Sequence, residues 1–440
     1  MVNYKLFTLA AVSLLFGLGA CKPSYESPEF SKGDIDPTRF VMIGGIHTSG
    51  FMDDALYREG QENSLPALIA QQLSLVGGGP FYQPLVAEGS VGIGFSGLSK
   101  MILGYKTDCK GVTSLSPVRV AASGDASIWN DNTYNPSALF GNYGIPGLFM
   151  AYVSSPAYSN QNNYYKRMAS STSGSTGSVL SDALAANPTF FSLFLGVDEV
   201  LKYAKSGAKD SILLTAQEFE VLYAPIVNQM VATGSKGVLA TIPDVSKMPY
   251  FTTIPYNGLN LDAPNATTLN SVYNALGFSF QVGANPFMII DPLANSFAVR
   301  QMLPGECLLL SVPLDSVKCN QMGVLFPLRN EFILTNPELE FMRTRIQEYN
   351  TVIRSLAAQH NLAVVDVDAF VSNLSDGFVY NGVSMSAKFV SGGAYSLDGV
   401  QFNPRGNALL ANKFIQAINK QYHARIPELN AGAYNATLFP

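Results

Sequence analysis

Long apolar runs alternate along the chain with segments of helical periodicity. Continuous apolar stretches bounded by turn residues are typical of strands buried on both faces of a parallel sheet. Such stretches lie at residues 40–43, 188–196, 236–243 and 362–367. Helical periodicity is found at residues 67–73, 215–232, 337–360 and 404–422. Thr215 and Glu218 have the spacing of a capping box, which marks the start of a helix. The alternation predicts an α/β fold with a doubly wound parallel sheet.

Two regions depart from this alternation. Residues 76–136 are rich in Gly and Ser, and we expect loops and short strands there. Residues 255–335 contain short apolar runs punctuated by Gly and Pro, and we expect a mostly β insertion. We therefore expect one domain over residues 37–425, interrupted by this insertion, with a C-terminal tail at residues 426–440.

The first twenty residues have the pattern of a cleaved signal peptide. Lys5 supplies a positive charge, and the following apolar run of about a dozen residues is too short to span a bilayer. The run ends in Leu-Gly-Ala before Cys21, which is the pattern of a bacterial lipoprotein signal. We expect residues 1–20 to be removed, Cys21 to be acylated, and residues 21–36 to form a tether.

The predicted lipid anchor indicates a location. Several acyl chains give stable membrane anchoring, whereas a single chain does not. Lys22 follows the cysteine, with no aspartate there to favour retention at the inner membrane. We therefore expect an outer-membrane lipoprotein. The periplasmic and cell-surface faces both stay open.

Net charge and composition limit the classes of molecule that the protein is expected to bind. The chain has a formal net charge of −5, and loss of Lys5 with the signal peptide makes it −6. An acidic chain is a poor partner for nucleic acid, which we exclude. Hydrophobic residues make up 47% of the chain, with 21 Tyr and 27 Phe, so a large core is expected together with apolar surface for a partner.

The cysteines and histidines indicate no metal site. Of the four cysteines, Cys307 and Cys319 lie twelve residues apart and could form a disulfide in an oxidising compartment. Cys109 would then be unpaired. The three histidines show no ligand spacing with the cysteines, and we expect neither a metal nor another cofactor.

Four stretches fall where loops should gather at the carboxyl ends of the predicted strands. The first reads Gly-Gly-Ile-His-Thr-Ser-Gly-Phe over residues 44–51, followed by Asp-Asp-Ala-Leu-Tyr at residues 53–57 and Gly-Gln-Glu-Asn-Ser-Leu-Pro at residues 60–66. The others are residues 143–147, 190–201 and 396–406. These stretches resemble the blocks of the SGNH/GDSL hydrolases, a family of esterases and acylhydrolases with a flavodoxin-like three-layer sandwich. The flanks of the first are similar to lipoprotein members of Gram-negative outer membranes, and they place the family's serine at Ile46.

The second block matches the family pattern, whereas the third and the last each depart from it at one position. The resemblance implies that Gly147 contributes a backbone N–H to the oxyanion hole. It places Asp198 where the family has an asparagine that donates to the oxyanion. In the last block Asp398 matches the acid of the triad, whereas Gln401 stands at the position of the histidine base.

Each departure removes a different part of a serine esterase. Such an enzyme needs an activated hydroxyl, a base within hydrogen-bond reach and donors aimed at the oxyanion. Ile46 has no hydroxyl, and the Gln401 amide does not titrate near neutral pH. Asp198, when ionised, only accepts hydrogen bonds, and loss of one oxyanion donor alone costs about 3 kcal/mol.

Other residues are weaker candidates for chemistry. His47 adjoins the serine position, but neighbouring side chains on an extended turn point apart, and we interpret it as making a local hydrogen bond. Thr48 or Ser49 with His47 would form an improbable nucleophile pair. Asp198, Glu199 and Asp398 are weighed as a carboxylate cluster, but we favour Glu199 and Asp398 as structural acids bonded to loop backbone. His360 and His423 are interpreted as structural.

The sequence thus favours a non-catalytic outer-membrane lipoprotein with an SGNH-hydrolase-like fold. We expect an accessory subunit bound to an outer-membrane β-barrel protein or complex that serves transport or barrel assembly. Residues 255–335 and 76–136 are the expected interface. The alternatives are an esterase or acylhydrolase with an atypical site, and a protein that binds glycan or lipid in the former substrate cleft.

Overall fold

The structure is a computed structural model that describes residues 29–170, 177–209 and 213–440. The expected signal peptide and Cys21 lie outside these ranges. Within the ranges, no helix is both long enough and apolar enough to cross a membrane.

The strands and helices follow one another in the predicted alternation. The strands are β1 (Phe40–Gly44), β2 (Phe51–Met52), β3 (Ala55–Leu56), β4 (Met101–Thr107), β5 (Thr113–Arg119), β6 (Asn142–Gly144), β7 (Phe190–Phe194), β8 (Lys236–Ala240), β9 (Leu259–Leu261), β10 (Gly283–Asn285), β11 (Met288–Ile290), β12 (Val299–Gln301), β13 (Cys307–Leu308), β14 (Ile333–Leu334), β15 (Ala363–Val365), β16 (Phe378–Tyr380) and β17 (Val383–Met385). The helices are α1 (Arg58–Glu62), α2 (Leu65–Ser74), α3 (Asn163–Lys166), α4 (Val179–Ala185), α5 (Val197–Lys205), α6 (Ala216–Ala232), α7 (Pro249–Thr252), α8 (Ala263–Tyr273), α9 (Leu314–Cys319), α10 (Asn336–Gln359), α11 (Val367–Asp376) and α12 (Pro404–Tyr422).

Within the described residues the central sheet consists of five parallel strands in the order β15-β8-β7-β1-β6. The second strand to enter the sheet, β6, thus lies outside the first, which is the flavodoxin-like order. Helices α2 and α12 pack together over the sheet, and α6 and α10 pack together over its other face. The predicted α/β three-layer sandwich is confirmed.

The sequence explains where the elements begin. All five residues of β1 and of β7 are buried, as expected of strands covered on both faces. Helix α6 begins at the predicted capping box, in which Thr215 and Glu218 satisfy each other's backbone N–H groups. The side chain of Asn403 caps α12 by accepting from the N–H of Gly406 at 2.9 Å.

The insertion at residues 255–335 is not mostly β, so that prediction is wrong. It contains three two-stranded sheets, β9 with β10, β11 with β12, and β13 with β14, but also the helices α8 and α9. Asp262 caps α8 by accepting from Asn265 N–H at 2.9 Å, and Pro264 occupies the first turn. The Gly and Pro residues that were interpreted as strand boundaries therefore include a proline at the start of a helix. Residues 76–136 contain the antiparallel hairpin of β4 and β5 among loops, as expected.

Both ends of the predicted domain are packed more tightly than expected. In the predicted tether, Ile35 is buried and the N–H of Asp34 donates to the carbonyl of Tyr422 at 2.8 Å. In the predicted tail, Leu429 and Ala431 are buried in the main core. Residues 31–36 and the first part of 426–440 are therefore packed onto the domain, where Asp34 and Leu429 donate backbone hydrogen bonds to residues of α12.

The predicted disulfide between Cys307 and Cys319 is wrong. Cys319, at the end of α9, bonds instead to Cys109 in the turn of the β4–β5 hairpin, 210 residues away. Cys307 is a free, buried cysteine on β13. Two ion pairs lie beside the bridge, Lys318 with Asp108 at 3.0 Å and Lys106 with Asp315 at 3.4 Å. The disulfide thus joins the hairpin to the insertion.

Candidate functional site

The turn after β1 is where the resemblance placed a nucleophile. Ile46 lies in this buried turn with an exposed fraction of 9%. The hydroxyl of Thr48 donates to the carbonyl of Gly45, and that of Ser49 donates to the carbonyl of Ile46, both at 2.8 Å. Ser49 also accepts from the N–H of Phe51 at 3.1 Å. Both hydroxyls are therefore held by hydrogen bonds within the turn itself.

The carboxyl group of Asp198 occupies the position where two backbone N–H groups converge. Its Oδ1 accepts from the N–H of Gly147 at 2.8 Å, and its Oδ2 accepts from the N–H of Ile46 at 3.1 Å. Asp198 lies in the first turn of α5 and is 6% exposed. A Cβ at position 45 would lie 1.6 Å from Oδ2, so this arrangement requires Gly45. Gly147 has a φ of +81°, which favours glycine.

Burial sets the electrostatics of this carboxyl group. Burial is the main cause, and the neighbouring Glu199 the second, of a raised Asp198 pKa of about 8. The N–H donors act in the opposite direction. Burial also raises the pKa of Glu199 to about 7. Glu199 accepts from the N–H of Met150 through Oε1, while its Oε2 has no hydrogen-bond partner among the described residues. Two adjacent acids are thus held in a desolvated pocket.

Asp398 organises its own loop. Its Oδ1 accepts from the N–H groups of Val400 at 2.8 Å and Gln401 at 2.7 Å, and its Oδ2 accepts from Asp54 N–H at 3.2 Å. Burial raises its pKa. These bonds fit the structural role that the sequence favoured. The side chain of Gln401 is 2% exposed, and its Oε1 has no hydrogen-bond partner among the described residues.

His47 makes no local hydrogen bond, so that interpretation is wrong. Its ring packs edge-on against Phe194 and Phe402, with centroids 5.8 and 5.7 Å away, and within the described ranges neither ring nitrogen has a partner. Burial lowers its pKa to about 3. The ring is therefore neutral and enclosed by aromatic side chains, and it does not line the cleft.

The two remaining histidines lie at the C-terminal ends of helices. His423 follows the end of α12 and bonds through Nδ1 to Oδ2 of Asp34 at 2.8 Å, while His360 caps the end of α10. Over the described ranges no three His, Cys, Asp or Glu side chains are grouped so as to hold a metal ion. The separate backbone contacts of Asp198 and Asp398 argue against the carboxylate cluster.

A cleft of about 420 Å³ opens above Asp198. Its apolar wall is formed by Ile46, Phe95, Phe149, Leu201 and Val400. Polar side chains also line it, namely Asp198, Gln401, Lys202, Lys205 and Ser206. The structure therefore brings together Ile46, Gly147, Asp198 and Gln401, whereas Asp398 stands behind the loop.

The sequence analysis did not identify Phe95, Phe149 or the two lysines as cleft residues. The spacing of Lys202 and Lys205, three residues apart on the helix that begins beside Asp198, was an available signal. The aromatic residues carried no such signal, because they come from loops whose path depends on tertiary packing.

Comparisons with known proteins add only distant similarities. No protein-family model matches the chain. No curated protein matches it. Among solved structures, the chain is similar to a lipase/acylhydrolase from Enterococcus faecalis, with 13% identity, a TM-score of 0.33, and coverage of 89% of this chain and 98% of that one. It is also similar to an α/β hydrolase enzyme from the metagenome of Lake Arreo, Spain, with 12% identity, a TM-score of 0.36, and coverage of 88% and 96%. An acetyl xylan esterase shows 16% identity, a TM-score of 0.27, and coverage of 63% and 79%. At these values, no statement about activity follows.

Proposed function

We propose that the protein is a non-catalytic, SGNH-hydrolase-like lipoprotein that acts by binding. One observation carries the proposal: the Asp198 carboxyl group accepts from both Ile46 N–H and Gly147 N–H. In an acyl-transfer enzyme, N–H groups at such positions are left free for the oxyanion that forms in the reaction. Here an internal side chain takes them in either protonation state, because both oxygens of a carboxyl group retain lone pairs.

The other catalytic groups are lacking at the same place. Ile46 presents a hydrocarbon where a hydroxyl would attack, and Gln401 presents an amide where a base would stand. The neighbouring hydroxyls of Thr48 and Ser49 donate to turn carbonyls. Loss of nucleophile, base and oxyanion donors together leaves no route for ester hydrolysis through this cleft.

We further propose that acylated Cys21 anchors the protein to the outer membrane and that the domain docks on a β-barrel protein or complex. Residues 31–36 pack beside the end of α12, at the edge of the sheet where the parallel strands begin. The cleft and the insertion lie at the opposite edge, where the strands end. This arrangement supports a domain whose insertion points away from its anchor and toward a partner.

Exposed apolar side chains support the two expected docking regions. Leu293 and Phe297, in the loop between β11 and β12, are 96% and 64% exposed. Tyr105, on the β4–β5 hairpin, is 70% exposed. Exposed apolar groups that recur within one region are typical of interaction sites.

Purification of the full chain from native membranes in mild detergent tests the accessory role. A stoichiometric β-barrel partner is expected, and Leu293→Ser with Phe297→Ser should reduce its recovery. Val379→Ser serves as the control, since Val379 is 69% exposed outside both regions. Recovery of the chain alone would count against the accessory role. In a cell fractionation, Cys21→Ser should move to the soluble fraction, and a wild-type chain that is itself soluble would count against the anchor.

A further inference from the structure

A second lobe of similar size adjoins the cleft above Asp198. This second lobe, also about 420 Å³, shares Phe95, Gly147 and Phe149 with the first. We refer to the two lobes together as the groove. A groove of this extent lies within the size range of ligand sites and exceeds what one small group would fill.

The polar groups of the first lobe differ in charge between its base and its rim. At its base lie the Asp198 carboxyl group and the Gln401 amide, whose Oε1 is unpaired among the described residues. At its rim lie the exposed side chains of Lys202 and Lys205, which stack on the rings of Phe149 and Tyr250 at 5.2 and 5.0 Å. Within the described ranges neither lysine forms an ion pair. The rim therefore favours an anion, and the base favours a neutral group that can donate a hydrogen bond.

The second lobe combines aromatic rings with carboxamides. Trp129, Tyr152 and Tyr164 line it, and the exposed amides of Gln161 and Asn163 stand at its edge. Aromatic rings with nearby amides suit a ligand that has an apolar face and a polar edge. A sugar ring has this character, because its C–H groups form a face and its hydroxyl groups point outward.

We propose that the groove binds an acidic oligosaccharide, with a carboxylate or phosphate at the lysine rim, a hydroxyl against Gln401 and a further sugar unit in the aromatic lobe. A hydroxyl both donates and accepts, so it pairs with either orientation of the Gln401 amide. This inference rests on the proposed non-catalytic function, since the bound sugar is held and not cleaved.

A simple fatty acid fits the same groove less well. With its carboxylate at the lysines, its alkyl chain would pass the unpaired Gln401 amide and Asp198 on the way to the aromatic lobe. Burying polar groups against hydrocarbon is unfavourable because they lose water without gaining a partner. With its carboxylate at the base, the anion would face Asp198.

Titration of the purified full chain with disaccharides tests the proposal. The single tryptophan, Trp129, lines the second lobe, so its fluorescence reports binding there. The probes are digalacturonate, whose charge is carboxylate, and trehalose 6-phosphate, whose charge is phosphate. Trehalose is the neutral control, and octanoate is the anion without hydroxyl groups. Binding of either acidic disaccharide, at least about tenfold tighter than trehalose and octanoate, is expected.

Variants assign the binding to the groove. Lys202→Gln with Lys205→Gln should weaken binding of the acidic disaccharide about tenfold and leave trehalose unchanged. Lys420→Gln, an exposed lysine on α12, is the matched control and should change nothing. Gln401→Leu should weaken acidic and neutral disaccharides alike.

The outcomes separate this inference from the proposed function. If neither acidic disaccharide binds more tightly than trehalose, if octanoate binds more tightly than both, or if neither gives a response up to about 10 mM, the acidic-sugar site is overturned. Cleavage of an ester by the same preparation would overturn the non-catalytic function while leaving a measured sugar affinity intact.

Discussion

The backbone N–H of Gly147 donates to Oδ1 of Asp198 at 2.8 Å, across 51 residues of sequence. This contact joins the loop after β6 to the first turn of α5. The same carboxyl group also accepts from the N–H of Ile46. A side chain therefore occupies two N–H groups of the kind that a hydrolase leaves free for the oxyanion. The first prediction follows from this contact.

Asp198→Asn should destabilise the fold most strongly in acid. The amide nitrogen of asparagine cannot accept from a backbone N–H, so one buried donor is left unpaired at a cost of about 1–3 kcal/mol. Because the folded pKa of Asp198 is raised to about 8 from 3.8, the wild type loses stability as pH rises through this window. The difference between the two proteins should therefore shrink from pH 4 to pH 8.

Urea unfolding at several pH values measures this difference. Asp376→Asn, at an exposed aspartate, is the control and should have little effect at any pH. A difference that grows toward pH 8 would contradict the assignment to Asp198.

His47→Leu should reduce the sensitivity of the fold to acid. The folded pKa of His47 is lowered to about 3 from 6.5, so between these values the unfolded chain holds a proton that the folded chain does not. Stability contributed by the neutral ring is therefore lost as pH falls, by up to about 1.4 kcal/mol per pH unit. The leucine variant lacks this slope, which thermal unfolding between pH 3 and pH 7 would reveal. An unchanged slope would mean that His47 has a partner for its proton.

Thiol titration checks the cysteine assignment. In a Cys21→Ser chain, no thiol should react while the protein is folded, and one, Cys307, should react after unfolding without reductant. When the unfolded chain is also reduced, three thiols should react. Reduction should lower the free energy of unfolding by about 2–4 kcal/mol, because the bridge closes a long loop. A peptide map that links Cys307 to Cys319 would show that the original sequence-based pairing was right.

Introducing the residues that SGNH hydrolases have at the corresponding positions tests the role of Asp198 directly. Ile46→Ser with Gln401→His should hydrolyse p-nitrophenyl acetate no faster than the parent chain, because the Asp198 carboxyl group still binds both N–H groups. Adding Asp198→Asn should raise the rate of that variant about 10²-fold, the typical value of one oxyanion donor. Equal rates for the two- and three-residue variants would show that Asp198 does not block the site.

Features that depend on residues close together in the chain could be predicted from the sequence. The apolar runs of β1, β7 and β8 and the capping box of Thr215 and Glu218 each lie within a short stretch, so their patterns identify them. Ile46, Asp198 and Gln401 were identified through the resemblance of their flanks to a family. The structure adds that they meet in one cleft.

Features that depend on distant contacts could not be predicted. Cys319 lies closer in sequence to Cys307, but the packing of α9 turns it toward Cys109 on another hairpin. His47 has no polar neighbour because Phe194 and Phe402 arrive from two remote elements. Aromatic side chains from separate loops form the groove for the same reason. In each case tertiary packing decides the partner.

The most direct test of the account is ester hydrolysis by the purified native chain. Short- and medium-chain p-nitrophenyl esters would be assayed from pH 5 to pH 9, beside His47→Ala and Ser49→Ala. The account predicts a rate equal to the buffer background and unchanged in both variants. Saturable hydrolysis that either substitution abolishes would contradict it.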